Sequence, residues 1–339
     1  MGTCTWQLFR RQESFPADEN GASALDIQLV PVDNRSRGVA LDCEILERLG
    51  GCKPRIRASE FYPPVAYLFG AGRRDITLFV ERVPWWGVFL PRKRVWVIWN
   101  HEIAETYLFL WAASRILCKT TVAERIARRL QRWRFGQPSL VGFTSSSAAE
   151  IECPPPAAAH PLEAILHLGG QSTYKQTEQV LQAWVDHPEF PRLVLTCFGK
   201  SLRLLPKPLL ARARAASNIE LWDRPAPRER VQAWLEEIPV HLCPSSAEGF
   251  GHSLNESRLY GAVIISTAAE PMSHYANLTV AGRQQGLFYR VEADAIARAV
   301  QAAVAMTASQ REEAGRQNQR AFLDDHRSFV KRFQELRGV

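Results

Sequence analysis

The sequence has no run of about 18 consecutive apolar residues, the length that a membrane-spanning helix needs. Its first segment, MGTCTWQLFRRQESFPADENG, lacks the apolar core of a secretory signal peptide. The 7 cysteines are scattered through the 339 residues without any C-x-x-C pair. This pattern is typical of reduced thiols and argues against a disulfide framework and against structural zinc. We therefore expect a cytoplasmic protein with no membrane-spanning helix.

The chain does contain enough apolar material for sizeable cores. Hydrophobic residues make up 46% of it and aromatic residues 10%, which predicts a packed globular protein rather than a disordered one. A length of 339 residues suits two domains of average size.

Positive charge is concentrated in one segment of the first half. The formal net charge of the chain is +7, and residues 73–134 alone carry 13 Lys or Arg against 5 Asp or Glu. Such a segment suits an anionic partner, for which lipid headgroups, nucleic acid and an acidic sugar acceptor are all candidates. The alternative is an ordinary solvated surface.

Predicted strands and helices alternate along both halves of the sequence, and a proline-rich, linker-like segment (145–161) separates the halves. This alternation predicts parallel sheets, and therefore two doubly wound α/β domains joined near residue 155. Ligands bind to such sheets at the loops that follow the carboxyl ends of strands. The predicted strands are 25–32, 76–83, 95–99, 114–120, 139–145, 164–170, 192–199, 218–222, 240–245 and 262–267; the predicted helices are 39–50, 121–133, 177–187, 228–238, one from about 253, and most of 292–339.

The loop PSSAEGFGHSLNE (244–256) follows a predicted strand and leads into a predicted helix. Ser253 and Glu256 have the spacing of a capping box, which would give Glu256 a purely structural role. Alternatively, the helix start behind the glycines is a docking site for a diphosphate, held by backbone N–H groups and the helix dipole. Glu248 adds nothing to a cap, whereas its carboxylate can accept hydrogen bonds from sugar hydroxyls. The local sequence allows both interpretations of Glu256.

A second glycine loop, HLGGQSTYKQT (167–177), has the same arrangement of strand, glycines and helix start. Lys175 lies at its turn, where a lysine supplies a point charge for phosphate, although a solvated lysine is the simpler interpretation. Both glycine loops are predicted to lie at the same edge of one sheet.

The segment CPSSAEGFGHSLNESRLYGAVIIS (243–266) resembles the donor-site signature of retaining glycosyltransferases of the GT-B fold, of the group 1 or family 4 type. Their pattern is a glutamate, seven residues and a second glutamate, with Gly-Phe-Gly after the first, and Glu248 and Glu256 fit it. The resemblance covers residues 164–275. The first half is similar more loosely to a branch seen in bacteria and large viruses, through the segments 34–42, 99–102, 118–120 and 142–145.

The resemblance implies two Rossmann-like domains that face a central cleft. Residues 1–155 would form the acceptor-binding domain and residues 156–320 the domain that binds the nucleotide-sugar donor. Residues 321–339 would form a C-terminal helix that packs back on the first domain.

The resemblance also implies roles for individual residues. His101, Lys175 and Glu248 would be the catalytic residues: His101 would face the donor sugar, Lys175 would stabilise the leaving phosphate and Glu248 would contact hydroxyls of the transferred sugar. Glu256 would bind the ribose hydroxyls, and Gly38 would approach the phosphates from the first domain. The other positions implied in donor binding are Gly170, Ser172, Gly249, Phe250, Gly251, His252, Ser253 and Leu254.

The sequence departs from the family pattern at one phosphate contact. Relatives usually carry an arginine or a second lysine near Gly169–Gln171, where this chain has glycines and glutamine. Arg203 and Arg224 are the candidate substitutes.

The implied reaction is transfer of a sugar from a nucleotide-diphosphate sugar to a glycan, glycolipid or other hydroxyl acceptor, with retention of the anomeric configuration. No D-x-D motif stands in a strand-end loop, so neither a metal nor another cofactor is expected. The acceptor would bind to the first domain, where WWGVFLPRKR (85–94) and the arginines of 121–134 suggest docking on an anionic membrane surface.

Two other classes of function remain open from the sequence. The basic segment 73–134 could serve a DNA-modifying glucosyltransferase or a nucleic-acid-binding protein, although no helix-turn-helix, zinc-finger or RNP motif is present. A homologue that binds sugar nucleotides without turnover is the other alternative.

Overall fold

The computed structural model describes residues 24–31, 37–53, 75–286 and 288–338. Within these residues the chain forms two α/β units, each built on a parallel sheet, which confirms the predicted fold class. The strands are β1 Ile27–Pro31, β2 Ile76–Glu81, β3 Val95–Trp99, β4 Arg115–Cys118, β5 Gln137–Leu140, β6 Ala164–Gly170, β7 Arg192–Cys197, β8 Ile219–Trp222, β9 Val240–Cys243, β10 Val263–Thr267, β11 Leu278–Val280, β12 Gly282–Gln285 and β13 Phe288–Val291. The helices are α1 Arg37–Arg48, α2 Thr121–Leu130, α3 Thr177–Asp186, α4 Gly199–Leu204, α5 Lys207–Ala215, α6 Arg228–Glu237, α7 His252–Leu259, α8 Ala293–Ala305 and α9 Ala308–Arg337.

The first sheet has the strand order β1-β2-β3-β4-β5, with every neighbouring pair parallel. Gln28 of β1 also forms an isolated parallel bridge with Lys53, which follows α1. The chain therefore returns on one side of β1 through α1, while β2 lies on the other side. The carboxyl end of β1 is thus a topological switch point, where ligands of doubly wound sheets bind. Gly38 lies there, as the second residue of α1.

The second sheet has the order β11-β10-β9-β6-β7-β8 and is also parallel. Its switch point lies between β6 and β9, which pair with each other although the chain visits β7 and β8 between them. The loops that follow these two strands are the two glycine loops. The topology alone therefore places them side by side at the carboxyl edge of the sheet.

Helices and turns cover both faces of each sheet. In the first domain, α1 and the end of α9 pack on one face, and α2 packs on the other with the short turns that follow β2 and β3. In the second domain, α3, α5 and α8 cover one face, while α6 and α7 cover the other. No helix in the described ranges is long and apolar enough to cross a membrane.

The C-terminal helix α9 connects the two domains. Thr307 and Gln310 form a capping box at its start. Its first half packs so closely on the second domain that a Cβ at Gly315 would lie 2.2 Å from the carbonyl oxygen of Gly261. Its second half places Phe329 and Phe333, both fully buried, in the core of the first domain. This confirms the predicted return of the C-terminal helix to the first domain.

Some predicted elements differ from those in the structure. The strand predicted at 139–145 ends at Leu140, because the chain beyond it turns to bury Val141 and Phe143 in the core. In the linker-like segment, Ala157 and Ala158 are buried and donate backbone hydrogen bonds to the carbonyls of Tyr260 and Gly261. The sequence pattern did not predict α4, α5, β11 or the β12–β13 hairpin.

Candidate active site

The two glycine loops meet through the side chains of Lys175 and Glu248. The Lys175 ammonium donates to Glu248 Oε1 at 2.5 Å and to Ser253 Oγ at 2.8 Å. Ser245 Oγ donates to the same Glu248 oxygen at 2.7 Å. Lys175 is the last residue of the short turn Thr173–Lys175. At the start of this turn, Ser172 Oγ accepts a hydrogen bond from the Tyr174 N–H. The structure therefore brings together the cation and the first glutamate that the sequence singled out.

Both members of this pair are charged at neutral pH. Burial acts to raise the pKa of Glu248, but the Lys175 ammonium and the hydrogen bonds from Lys175 and Ser245 outweigh it and lower that pKa. Burial likewise acts to lower the pKa of Lys175, and the Glu248 carboxylate outweighs it and raises that pKa. The side chains of Lys175 and Glu248 are 13% and 18% exposed, so the pair lies at the wall of a cleft that a ligand can reach.

Further hydrogen bonds fix the two loops to each other. The Ser246 N–H donates to the Tyr174 carbonyl at 2.7 Å. The Gln176 side chain donates to the Pro244 carbonyl at 2.7 Å and accepts from the Val291 N–H at 2.9 Å. Gln176 is held in the left-handed region, with φ of 50°, where few residues other than glycine occur. The relative position of the loops is thus set by the folded chain itself.

Helix α7 begins directly at the second glycine loop. Gly251 is its N-cap residue with φ of +79°, and it has no side chain to bond the first amides. The predicted capping box of Ser253 and Glu256 is therefore wrong. Ser253 lies inside the first turn, and its hydroxyl accepts from Lys175 instead. This arrangement leaves the helix start to an anion, since a helix amino end favours negative charge.

The remaining glycines of the loops allow close approach to the backbone. Gly170 ends β6 with φ of +60°, and a Cβ there would meet no atom within 4 Å, so the space beside it is open. Gly249, in contrast, lies against the Glu102 carboxylate of the first domain, 2.3 Å from where its Cβ would be. One loop therefore faces open space and the other faces the opposite domain.

Two loop side chains point into packed surroundings and not into the cleft. Phe250 is buried in the core of the first domain, with its ring 5.4 Å from that of Phe143. Leu254 is buried under β10 beside Ile264 and Met272. If these two residues contact a donor, they do so through their backbone. Glu256 is half-buried on α7, one turn after His252.

His252, the first residue of α7, connects the second domain to the first. Its Nε2 lies 2.9 Å from Asp42 Oδ1, and its Nδ1 lies 2.9 Å from Ser145 Oγ. Asp42 also accepts a hydrogen bond from the Lys119 ammonium at 2.5 Å. The side chains of Asp42 and Lys119 are only 2% and 3% exposed, so this is a buried ion pair. Gly38 lies one helical turn before Asp42 on α1 and therefore faces the same contact region.

The ionisation of Asp42 depends on these partners. Burial acts to raise the pKa of its carboxyl group, but the Lys119 ammonium, together with His252, outweighs burial and holds the pKa below its usual value. The carboxylate is therefore negative throughout the neutral range and retains both partners.

His101 and Glu102 follow β3, and the Glu102 carboxylate meets the second glycine loop from the first domain. Burial, with the nearby Lys119 charge, lowers the pKa of His101 to about 4, so its ring is neutral at pH 7. Burial raises the pKa of Glu102 to about 7, and the negative charge of Glu248 adds to this effect. The Tyr107 hydroxyl donates to the His101 carbonyl at 3.1 Å, which holds the loop in place.

The additional phosphate cation that relatives carry has no clear counterpart. Gln171 occupies the position, and its side chain packs 3.0 Å from where a Cβ of Gly199 would lie. Arg203 and Arg224 are both exposed, and no hydrogen bond or ion pair within the described ranges joins either of them to the glycine loops. Neither arginine is held at the site in this structure.

The second domain is similar to a known protein family. Residues 155–321, just under half of the chain, match the model of the family Glycosyl transferases group 1. The matched residues contain β6 to β13 and both glycine loops. No protein with a curated description matches the sequence.

Solved structures share the fold of both domains. Anabaena HepE, in complex with UDP and glucose, is 12% identical over 92% of this chain and 98% of its own, with a TM-score of 0.63. The α,α-trehalose 6-phosphate synthase of Burkholderia multivorans is 10% identical over 93% and 97%, with a TM-score of 0.62. The lipopolysaccharide outer core galactosyltransferase WaaB is 11% identical over 91% and 98%, with a TM-score of 0.60. At such identities the likeness shows the GT-B fold.

The sequence did not single out the first-domain residues that contact the second domain, Asp42, Ser145 and Glu102, or Lys119, which pairs with Asp42. Each of them lies in one of the four first-half segments that resemble relatives, 34–42, 118–120, 142–145 and 99–102. Those short similarities were the available signal. What the sequence did not reveal is that the four segments meet at one place. In the described part of the chain, no cluster of three or more His, Cys, Asp or Glu residues could hold a metal ion.

We expect Asp42→Asn to weaken the contact between the domains. The substitution leaves the buried Lys119 ammonium without its counter-ion, which costs about 3–5 kcal/mol of unfolding free energy. Urea unfolding at pH 7 measures this loss. Asp324→Asn, at an exposed ion pair with Arg327, is the matched control and should change stability by less than about 1 kcal/mol. Equal stability of the two variants would show that the Asp42 contact is unimportant.

Proposed function

We propose that this protein is a retaining glycosyltransferase that moves a sugar from a nucleotide-diphosphate sugar to a hydroxyl group of a glycan or glycolipid. The observation that carries the proposal is the contact of Lys175 with Glu248 beside the start of α7, at the switch point of a parallel sheet. A cation, a helix amino end and a carboxylate stand there together. These are the groups needed to hold a diphosphate and an adjoining sugar.

The proposed donor lies across the two glycine loops. The first amides of α7, from Gly251 to Leu254, bind the diphosphate, and Lys175 neutralises the negative charge that grows on it as the sugar leaves. Lys175 then exchanges its bonds to Glu248 and Ser253 for bonds to phosphate oxygens. The bonds that fix Glu248 in this structure use Oε1, so Oε2 is available to a hydroxyl of the transferred sugar. Glu256, farther along α7, serves the ribose.

In the reaction step, the bond between the anomeric carbon and the phosphate oxygen breaks, and a bond to the acceptor oxygen forms on the same face. The acceptor proton passes to the departing phosphate, so the site needs no separate base. His101, neutral at pH 7 because of its lowered pKa, acts as a hydrogen-bond partner of the donor sugar and not as a cation. HepE, which shares the fold, is described in complexes with UDP and with UDP-glucose, so UDP-sugars are the first donors to test.

Donor binding should be visible as thermal stabilisation. Among UDP-, GDP-, ADP- and dTDP-sugars, the true donor class at 100 times its Kd should stabilise the protein by about 2.7 kcal/mol. Lys175→Met should remove this shift, because the diphosphate loses its cation, and Glu256→Ala should remove it if Glu256 binds the ribose. Lys331→Met, at an exposed lysine of α9, is the matched control. The proposal fails if none of the sugar nucleotides shifts the melting temperature of the unmodified protein.

The proposed transfer requires no metal ion. Lys175 and the start of α7 can neutralise the leaving diphosphate by themselves, and the sequence has no D-x-D motif in a strand-end loop. Turnover should therefore be unchanged after treatment with EDTA and should not rise when Mn²⁺ or Mg²⁺ is added back. A strict requirement for Mn²⁺ would contradict this mechanism while leaving donor binding intact.

A surface of the first domain suits an anionic membrane. Arg92 donates to the carbonyls of Ala113 and Arg134, which joins the turns after β2 and β3 to the end of α2. The exposed apolar side chains on these segments include Phe89 and Trp133, each 76% exposed. We call this the aromatic–basic surface; it consists of Trp85, Phe89, Lys93, Arg94, Leu108, Trp111, Arg129, Arg132, Trp133 and Arg134.

The cations of the aromatic–basic surface are positioned to contact lipid headgroups. Lys93, Arg94, Arg129, Arg132 and Arg134 are exposed, and within the described ranges none of them forms an ion pair with a carboxylate. Exposed aromatic rings beside unpaired cations suit the interface of an anionic bilayer. Such docking would bring a glycolipid acceptor to the first domain.

The aromatic–basic surface should bind vesicles of phosphatidylcholine and phosphatidylserine at low salt. Because each cation near the surface contributes about 1 kcal/mol, the double variant Lys93→Glu/Arg94→Glu should bind more than about tenfold more weakly in co-sedimentation. Arg316→Glu/Arg320→Glu on α9 makes the same change of charge elsewhere and should bind like the unmodified protein. If the protein does not bind vesicles, the membrane proposal is wrong. If it binds duplex DNA but not vesicles, the nucleic-acid alternative is favoured.

A further inference from the structure

Glu102 lies on the wall of the cleft that faces the second glycine loop. It comes directly after His101 in the loop that follows β3, and its carboxylate packs against Gly249. A Cβ at Gly249 would lie 2.3 Å from Glu102 Oε2 and 2.5 Å from Oε1, so a larger residue there would have to displace this carboxylate. Glu102 therefore touches the loop that also holds Glu248.

Two buried polar atoms in this place have no hydrogen-bond partner. Among the described residues, nothing bonds Glu102 Oε2 or His101 Nδ1, and these two atoms are 4.0 Å apart. That distance is too long for a hydrogen bond between them. Buried polar atoms are nearly always bonded, because leaving one unbonded costs about 1–3 kcal/mol. A bound group that reaches both atoms would remove that cost.

The chemistry of Glu102 and His101 favours a hydroxyl group as the bound group that contacts both atoms. His101 is neutral at pH 7, and Glu102, with a pKa of about 7, carries on average a partial negative charge. A phosphate would meet the negative charges of Glu102 and Glu248, which disfavour it. A hydroxyl can donate to a carboxylate and accept from an imidazole N–H, or the reverse, in either protonation state.

We propose that Glu102 and His101 form a hydroxyl-binding subsite for a sugar ring, closed on one side by Gly249. The inference rests on the proposed glycosyl transfer and names a new binding residue, Glu102, for it. The ring belongs either to the transferred sugar, beside Glu248, or to the acceptor. Both present the same chemistry, and binding and transfer measurements tell them apart.

The test compares Glu102→Gln with Glu105→Gln, an exposed glutamate three residues farther along the same connection. We expect Glu102→Gln to bind UDP like the unmodified protein. If the subsite serves the donor, the variant should bind UDP-glucose, or the sugar nucleotide that thermal shifts select, about tenfold more weakly. If the subsite serves the acceptor, donor binding and slow donor hydrolysis stay unchanged and the KM for the acceptor rises.

The stability of the variant separates binding from folding. Glu102 has a raised pKa in the folded protein, so its charge destabilises the fold increasingly as the pH rises from about 4.5 to about 7. The groups that act on it are Lys119, Glu248, Glu81 and the neighbouring His101. Glu102→Gln removes this charge, so its melting temperature should match that of the unmodified protein at low pH and exceed it at pH 7.

Two results overturn the inference. A Glu102→Gln protein that binds, hydrolyses and transfers like Glu105→Gln shows that no substrate hydroxyl uses Glu102, while the proposed transfer still stands. An unmodified protein that binds neither UDP nor any sugar nucleotide overturns the proposed function, and the subsite with it.

Discussion

The Asp42 carboxylate is the contact on which the arrangement of the candidate site depends. It is buried between Lys119 of its own domain and His252 of the other. A buried carboxylate is costly to desolvate, and it is retained only where cations or hydrogen-bond donors surround it. Because His252 follows Gly251 directly, the same contact fixes the amino end of α7 against the first domain. The amides that the proposed diphosphate needs are thus positioned by a charge from the opposite domain.

Within the second domain, the candidate site contains an ion pair of its own. Lys175 and Glu248 satisfy each other, so neither is left as an isolated charge in a half-buried cleft. A diphosphate carries more negative charge than one carboxylate, so it would compete with Glu248 for Lys175. Glu248 would then lose its bond to Lys175 and could bind the adjoining sugar. One exchange of partners would then prepare both the cation and the carboxylate. The backbone bonds between Ser246 and Tyr174 keep the two loops in place during that exchange.

The sequence predicted what depends on local pattern and missed what depends on distant contacts. The alternation of strands and helices was enough to predict the two parallel sheets. The glycines at strand ends were enough to predict the loops that hold Lys175 and Glu248. The start of α7 was misplaced because both Gly251 and Ser253 are acceptable N-caps, and only the position of Lys175 decides that the serine serves another partner. Asp42 was invisible because its partners lie 77 and 210 residues away along the chain.

The two walls of the cleft differ in how far their polar side chains are hydrogen-bonded within the folded chain. This difference indicates that the two domains have different roles in binding. In the wall from the second domain, Lys175 and Glu248 are bonded to each other, and the two loops are joined by backbone and side-chain hydrogen bonds. The wall from the first domain contains two buried atoms, on His101 and Glu102, that the described chain leaves unbonded. Natural proteins keep such unfavourable groups mainly where function uses them, because substitution would otherwise improve stability. A ligand anchored by the second domain would therefore find its last hydrogen bonds on the first. Full occupancy of the cleft would then tie the two domains together more strongly than the contact at Asp42 does alone.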